Sequence, residues 1–161
     1  MTSAFLSELD IIQVGWRQGR PVWRTHASLC YRSDMLGKTV VIPDDFFSDG
    51  ASVPRWPLAY LIAGGKGIRS AVLHDFAYQF GFWWCLPRLP RRTLTVDKAV
   101  ADRVFWESLL ADPISGVSAR VARLMWGAVR VGGRGVWVNP ERAKLLNPVW
   151  SSGDWGPPEA P

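Results

Sequence analysis

Two short motifs hold the residues best suited to chemistry. His74 and Asp75 are followed by Tyr78, and Asp102 lies in a later apolar segment. A neutral histidine can take a proton from water, and a carboxylate on a neighbouring helix can fix its tautomer. Two antiparallel helices would place His74 opposite Asp102, with Tyr78 one turn away. The spacing suits a hypothetical hydrolytic site of His74, Asp102 and Tyr78, but no reaction follows from the pattern alone.

A second carboxylate beside the histidine indicates a metal. On a helix, Asp75 points about 100° away from His74, toward the preceding loop. Carboxylates and loop carbonyls are ligands that Ca²⁺ prefers, so Asp75 is the predicted ligand and Asp49 a weaker one. The loop at residues 48–67 holds several glycines. The sequence makes no cofactor certain. Ca²⁺ is the cofactor that these residues suit.

A structural role explains the same residues. A histidine on an apolar helix face is more often a hydrogen-bonded core residue than a catalyst. Tyr78 could bond Asp102 simply as a buried pair. Both interpretations of the motif remain open from the residues alone.

The elements that would position these residues are predicted to be strands followed by helices. Short apolar runs separated by turn residues predict a small antiparallel β-meander, of which residues 38–42 are the most strand-like. A loop rich in proline and glycine follows. The segment 82–87 shows no regular pattern, and the predicted fold class is α+β.

Three helices are predicted after the loop. Apolar residues at helical spacing place the first over residues 68–80, with Gly81 as its end. The second covers 95–110 with Thr95 as N-cap, and the third covers 118–131 with Ser118 as N-cap. We expect one domain over residues 1–138 and an extended C-terminal arm over residues 139–161.

Composition narrows the class of protein. The chain has 161 residues, 48% of them hydrophobic, which is typical of one globular domain. A net charge of +5 and ten tryptophans indicate a large contact surface, a membrane surface or nucleic acid, without choosing among them. Four of the tryptophans outside the predicted elements are the predicted interface residues: Trp83, Trp84, Trp150 and Trp155.

Other site types fit the sequence less well. A phosphohydrolase of the His…His-Asp…Asp kind would need His26 on a helix, but His26 lies in the strand region. A zinc site from His26, Cys30 and Cys85 lacks a fourth ligand. A basic segment around a pair of prolines could contact lipid phosphates, so membrane lipid is a possible partner, although such clusters are usually solvated linkers. No nucleic-acid module is recognisable, so nucleic acid is an unlikely partner. The basic residues are Arg88, Arg91 and Arg92.

The segment 44–55, DDFFSDGASVPR, resembles the signature of the phage-associated domain-of-unknown-function family 1353. The motifs at His74 and Asp102 are similar to that family's HD-x-x-Y and AD-x-x-F segments. The chain departs from the signature at Asp45 and Ser48. The resemblance implies a protein of tailed bacteriophages. We therefore expect a virion component at the tail or tail tip, made in the host cytoplasm and bound to other virion proteins.

A weaker local resemblance is to phospholipase A2. It implies that His74 is the general base, that Asp75 binds Ca²⁺, and that Asp102 and Tyr78 support the histidine. The calcium loop of that family is absent in its usual form, and the nearest glycine cluster, residues 63–67, carries a lysine. The alternative function is thus a Ca²⁺-dependent hydrolase that acts on the host envelope during entry or lysis.

Overall fold

The computed structural model describes residues 2–49, 66–86, 93–138 and 140–147. The strands are β1 Ala4–Phe5, β2 Ile11–Arg17, β3 Arg20–Thr25, β4 Leu29–Ser33, β5 Lys38–Ile42, β6 Phe47–Ser48, β7 Phe82–Leu86 and β8 Thr93–Thr95. The helices are α1 Ile68–Phe80, α2 Lys98–Ala111, α3 Ala119–Gly132 and α4 Pro140–Leu146, with a 3₁₀ turn at Gly133–Gly135. No helix in these ranges is long and apolar enough to cross a membrane.

The strands form two antiparallel sheets. The larger has the order β1-β4-β5-β7-β8, and the smaller has the order β2-β3-β6. Strands β2 and β3 form a hairpin around Gln18 and Gly19, which both have positive φ. Such a two-residue turn matches the twist of the paired strands, and glycine adopts it without steric cost.

Helix α1 is the centre of the molecule. It packs against α2, α4, β7 and β6, and every residue from Arg69 to Gln79 is buried. Helix α2 packs on β1 and β4 of the larger sheet, and α3 packs on the other side of α2. Polar residues on α1 therefore have no solvent face and must find partners inside the fold.

The predicted α+β class is confirmed, and so are the bounds of α1 and the N-cap role of Ser118. The second helix begins later than predicted, because the side chain of Asp97 caps it by accepting a bond from the N–H of Val100 at 2.7 Å. Thr95 belongs to β8 instead. Helix α4 occupies part of the segment predicted as an extended arm; its first residue is a proline, whose fixed φ suits a helix start.

The predicted placement of Trp83 and Trp84 outside regular structure was wrong. Both lie in β7, where Trp83 is fully buried and Trp84 is 5% exposed. Three successive residues of β7 are buried, so both faces of the strand are covered and its run of apolar residues lacks the alternation of a half-exposed strand. Neither side chain therefore offers a surface to a partner.

Candidate functional site

Helix α1 directs its polar residues to two sides. His74 and Tyr78 are one turn apart and face α2, with their ring centroids 4.1 Å apart. Asp75 follows His74 and faces β6 instead. The helix thus contributes to two separate buried polar clusters.

The first, the Asp102 cluster, consists of His74, Tyr78, Lys98, Asp102 and Arg130. Asp102 Oδ1 lies 2.9 Å from His74 Nε2 and accepts a bond from the Tyr78 hydroxyl at 2.7 Å. The side chains of His74 and Asp102 are fully buried. The structure therefore brings together the three residues predicted as a catalytic group.

Two cations neutralise this carboxylate from the side nearer the surface. Lys98 Nζ donates to Asp102 Oδ2 at 2.8 Å, and Arg130 lies 3.6 Å from the same oxygen. Lys98 also donates to the Val129 carbonyl at 3.0 Å, near the end of α3. The cluster consequently ties α1, α2 and α3 together.

The environment separates the pKa values of the two central groups. Burial lowers the pKa of His74 and outweighs its bond to Asp102. Burial alone would raise the pKa of Asp102, but bonds from His74, Lys98 and Tyr78 hold that pKa below its usual value. Burial and the bond to Asp102 raise the pKa of Tyr78. The native state therefore holds a neutral histidine beside an ionised carboxylate.

The tautomer of His74 follows from this charge state. An ionised carboxylate only accepts hydrogen bonds, so the proton of the neutral imidazole must lie on Nε2, the atom next to Asp102. The other nitrogen, Nδ1, is then the basic one. A reaction with His74 as general base would have to take place at Nδ1.

Gly133 follows α3 directly and lies against Tyr78 of the Asp102 cluster. A Cβ at this position would lie 2.3 Å from the hydroxyl of Tyr78, whereas nothing lies within 4 Å of a Cβ at Gly135. The glycine therefore lets the backbone approach the tyrosine closely.

The second, the Asp75 cluster, consists of Phe47, Ser48, Asp75, Gln79 and Asn147. Asp75 is fully buried and accepts bonds from the Ser48 hydroxyl at 2.7 Å and from Gln79 Nε2 at 3.3 Å. Asn147 bonds both the N–H and the carbonyl of Phe47, at 2.6 and 2.8 Å. It also donates to Gln79 Oε1 at 2.6 Å, so this cluster joins α1, β6 and the residue after α4.

The predicted role of Asp75 as a calcium ligand stays a prediction, because the loop at residues 50–65 that would supply carbonyl ligands lies outside the described residues. A calcium ion takes six to eight oxygen ligands, including several from carboxylates or carbonyls. Within the ranges that the structure covers, no three His, Cys, Asp or Glu side chains are grouped so that they could hold a metal. Asp49 is buried one residue after Ser48 but is not part of such a group.

The remaining predicted residues are far from these clusters or outside the description. His26 is part-exposed near Asp10, and Cys30 and Cys85 are buried without a disulfide. Three sets lie outside the described residues: Trp150 and Trp155, the basic segment at 88–92, and the loop at 50–65.

Four of the cluster members that sequence reasoning missed lie on the helices or directly after one. Two had a usable signal, because Lys98 precedes Asp102 by four residues and Gln79 follows Asp75 by four, which is the spacing of neighbours on a helix. Arg130 and Asn147 had none, since their contacts join separate elements.

Comparison with known proteins bears on this arrangement. A family described as "Protein of unknown function (DUF1353)" matches residues 23–129, about two thirds of the chain. The chain belongs to that family. No curated protein matches it, and no solved structure does.

Proposed function

We propose that this member of the DUF1353 family is a small structural or assembly component of a bacteriophage particle, at the tail or tail tip. The phage setting is what the family resemblance implies. In this proposal the two polar clusters hold the helices on the sheet, and other virion proteins are the partners.

The observation that carries the proposal is the burial of the candidate catalytic residues. His74, Asp75 and Asp102 have no exposed surface. Their hydrogen bonds join three helices and a strand, as buried polar groups that specify a fold do. A catalytic side chain that acts on a lipid or cell-wall substrate would have to contact that substrate.

The exposed apolar residues also support an assembled protein. Trp16 on β2 is 70% exposed, and Leu124 and Val131 on α3 are 71% and 82% exposed. Isolated apolar side chains on a surface are ordinary, but aromatic residues are enriched where proteins meet. Subunits of a particle would cover such residues.

The alternative is the Ca²⁺-dependent hydrolase. One observation favours it: the His74–Asp102 bond at 2.9 Å fixes a neutral imidazole with a basic Nδ1, as a general base requires. This alternative would need a rearrangement that exposes Nδ1 to water and substrate.

Substitution of His74 separates the two proposals. We expect His74→Gln to lower the free energy of unfolding by about 1–3 kcal/mol, because the imidazole loses its packing against Tyr78 and Phe105 and its set bond to Asp102. Purified wild-type protein should release no fatty acid from anionic phospholipid vesicles, with Ca²⁺ or with a chelator. The matched control is His26→Gln, which changes a part-exposed histidine and should leave stability unchanged.

Release of fatty acid by the wild-type protein, lost in His74→Gln but kept in His26→Gln, would establish the hydrolase and overturn the structural proposal. The phage proposal has its own test. Mass spectrometry of purified particles should detect the chain, and its absence from particles while the infected lysate contains it would contradict a virion role.

A further inference from the structure

Among the strands that the structure describes, β2 forms an open edge of the smaller sheet. The order of that sheet is β2-β3-β6, so β2 is outermost along its whole length, Ile11–Arg17. The strand has seven residues, longer than any other edge strand in the described ranges. Long open edges are sites where a second strand can pair, and proteins usually shorten, charge or cover them.

The hairpin turn determines which backbone groups face outward. Gln18 and Gly19 both have positive φ, as in the turn whose flanking pair is hydrogen-bonded, here Arg17 with Arg20. In the next pair, Trp16 with Pro21, the backbone groups point away from the partner strand. Trp16 therefore presents its N–H and carbonyl to the open edge.

The side chains of this edge are apolar and exposed. Trp16 is 70% exposed, and Ile12 and Val14 are each 46% exposed. On the central strands of the larger sheet, by contrast, the apolar side chains are buried. No lysine lies on β2 to discourage pairing.

The charges at the two ends of β2 indicate which strand would pair with its open edge. Asp10, just before β2, is 64% exposed, and Arg17 ends the strand opposite another cation, Arg20. Within the described residues Arg17 makes no ion pair, and like charges opposite each other are unfavourable. An antiparallel copy of the same strand would bring an aspartate to each Arg17.

We propose that two copies of this chain pair through β2, antiparallel and around a twofold axis. The register sets Asp10 opposite Arg17 of the other copy and Ile11 opposite its Trp16. A twofold interface presents the same surface from both subunits, so each contact occurs twice. The bulge between Gln13 and Gly15 falls at the axis and leaves pairing on either side of it.

The interface is small, and the dimer is correspondingly weak. We expect sedimentation of the purified chain, from about 1 µM to about 500 µM, to show the average mass rising toward twice the 18.0 kDa of one chain. Trp16→Lys should weaken the dimer at least about tenfold by placing a charge at the edge. Leu124→Lys changes a residue of equal exposure on α3 and should have no effect.

A charge exchange tests the register. Arg17→Asp alone should weaken the dimer, and Asp10→Arg added to it should restore the affinity, because the facing charges are again opposite. A chain that stays monomeric throughout, or a dimer that Leu124→Lys weakens as much as Trp16→Lys, overturns the proposal. Failure of the double variant to restore a folded dimer overturns this register. Circular dichroism confirms that each variant folds.

Discussion

The two clusters flanking α1 differ in the side chains that contact their buried carboxylate. Asp102 is paired with the cations Lys98 and Arg130, which extend toward solvent. The described partners of Asp75 are uncharged, namely a hydroxyl and an amide. Within the described residues, the Asp102 cluster therefore combines ion pairs with hydrogen bonds, whereas the contacts described for Asp75 are hydrogen bonds from neutral side chains.

This difference also separates what each cluster holds together. The Asp102 cluster joins three consecutive helices, whose contacts are close in sequence. The Asp75 cluster joins a strand near residue 47 to a side chain at residue 147. One cluster orders a helical layer, and the other attaches the end of the described chain to the sheet.

The largest expected effect is the loss of the charge partner in the first cluster. Asp102→Ala removes the acceptor that His74 and Tyr78 share and the counter-charge of Lys98 and Arg130. We expect the free energy of unfolding to fall by about 3–5 kcal/mol, as when one partner of a buried ion pair is removed. Urea unfolding followed by circular dichroism measures it. A loss below about 1 kcal/mol would show that the cluster contributes little.

A smaller effect is expected in the second cluster. Asn147→Ala leaves both backbone groups of Phe47 without this partner, so we expect a loss of about 2–3 kcal/mol. Hydrogen exchange should speed up in α4 before it does in α2 or α3. Equal acceleration in all three helices would contradict the separate roles of the clusters.

How far the sequence could predict this comparison depends on the range of the contacts. His74, Tyr78 and Asp102 could be placed together because they lie on two successive helices with clear apolar periodicity. Asn147 could not, since its partner is 100 residues away and an asparagine carries no positional signal. Nor could β7, because a strand buried on both faces lacks the alternation used to recognise strands.

The smallest expected effect is a loss of folding stability at acidic pH. The lowered pKa of His74 means that the unfolded chain binds a proton more readily than the folded one, so stability must fall as the pH drops below about 6.5. Between pH 6.5 and 5 we expect a slope of up to about 1.4 kcal/mol per pH unit from this group. His74→Gln should reduce the slope by that amount. An unchanged slope in the variant would show that His74 does not bury a neutral ring.

The bond between Asn147 and Phe47 has a consequence for the order in which the protein forms on the ribosome. All residues of the Asp102 cluster have been synthesised once Arg130 has emerged, so that group can close early. The bonds that Asn147 makes to Phe47 wait for another seventeen residues. Until then, the backbone of Phe47 at β6 lacks these bonds.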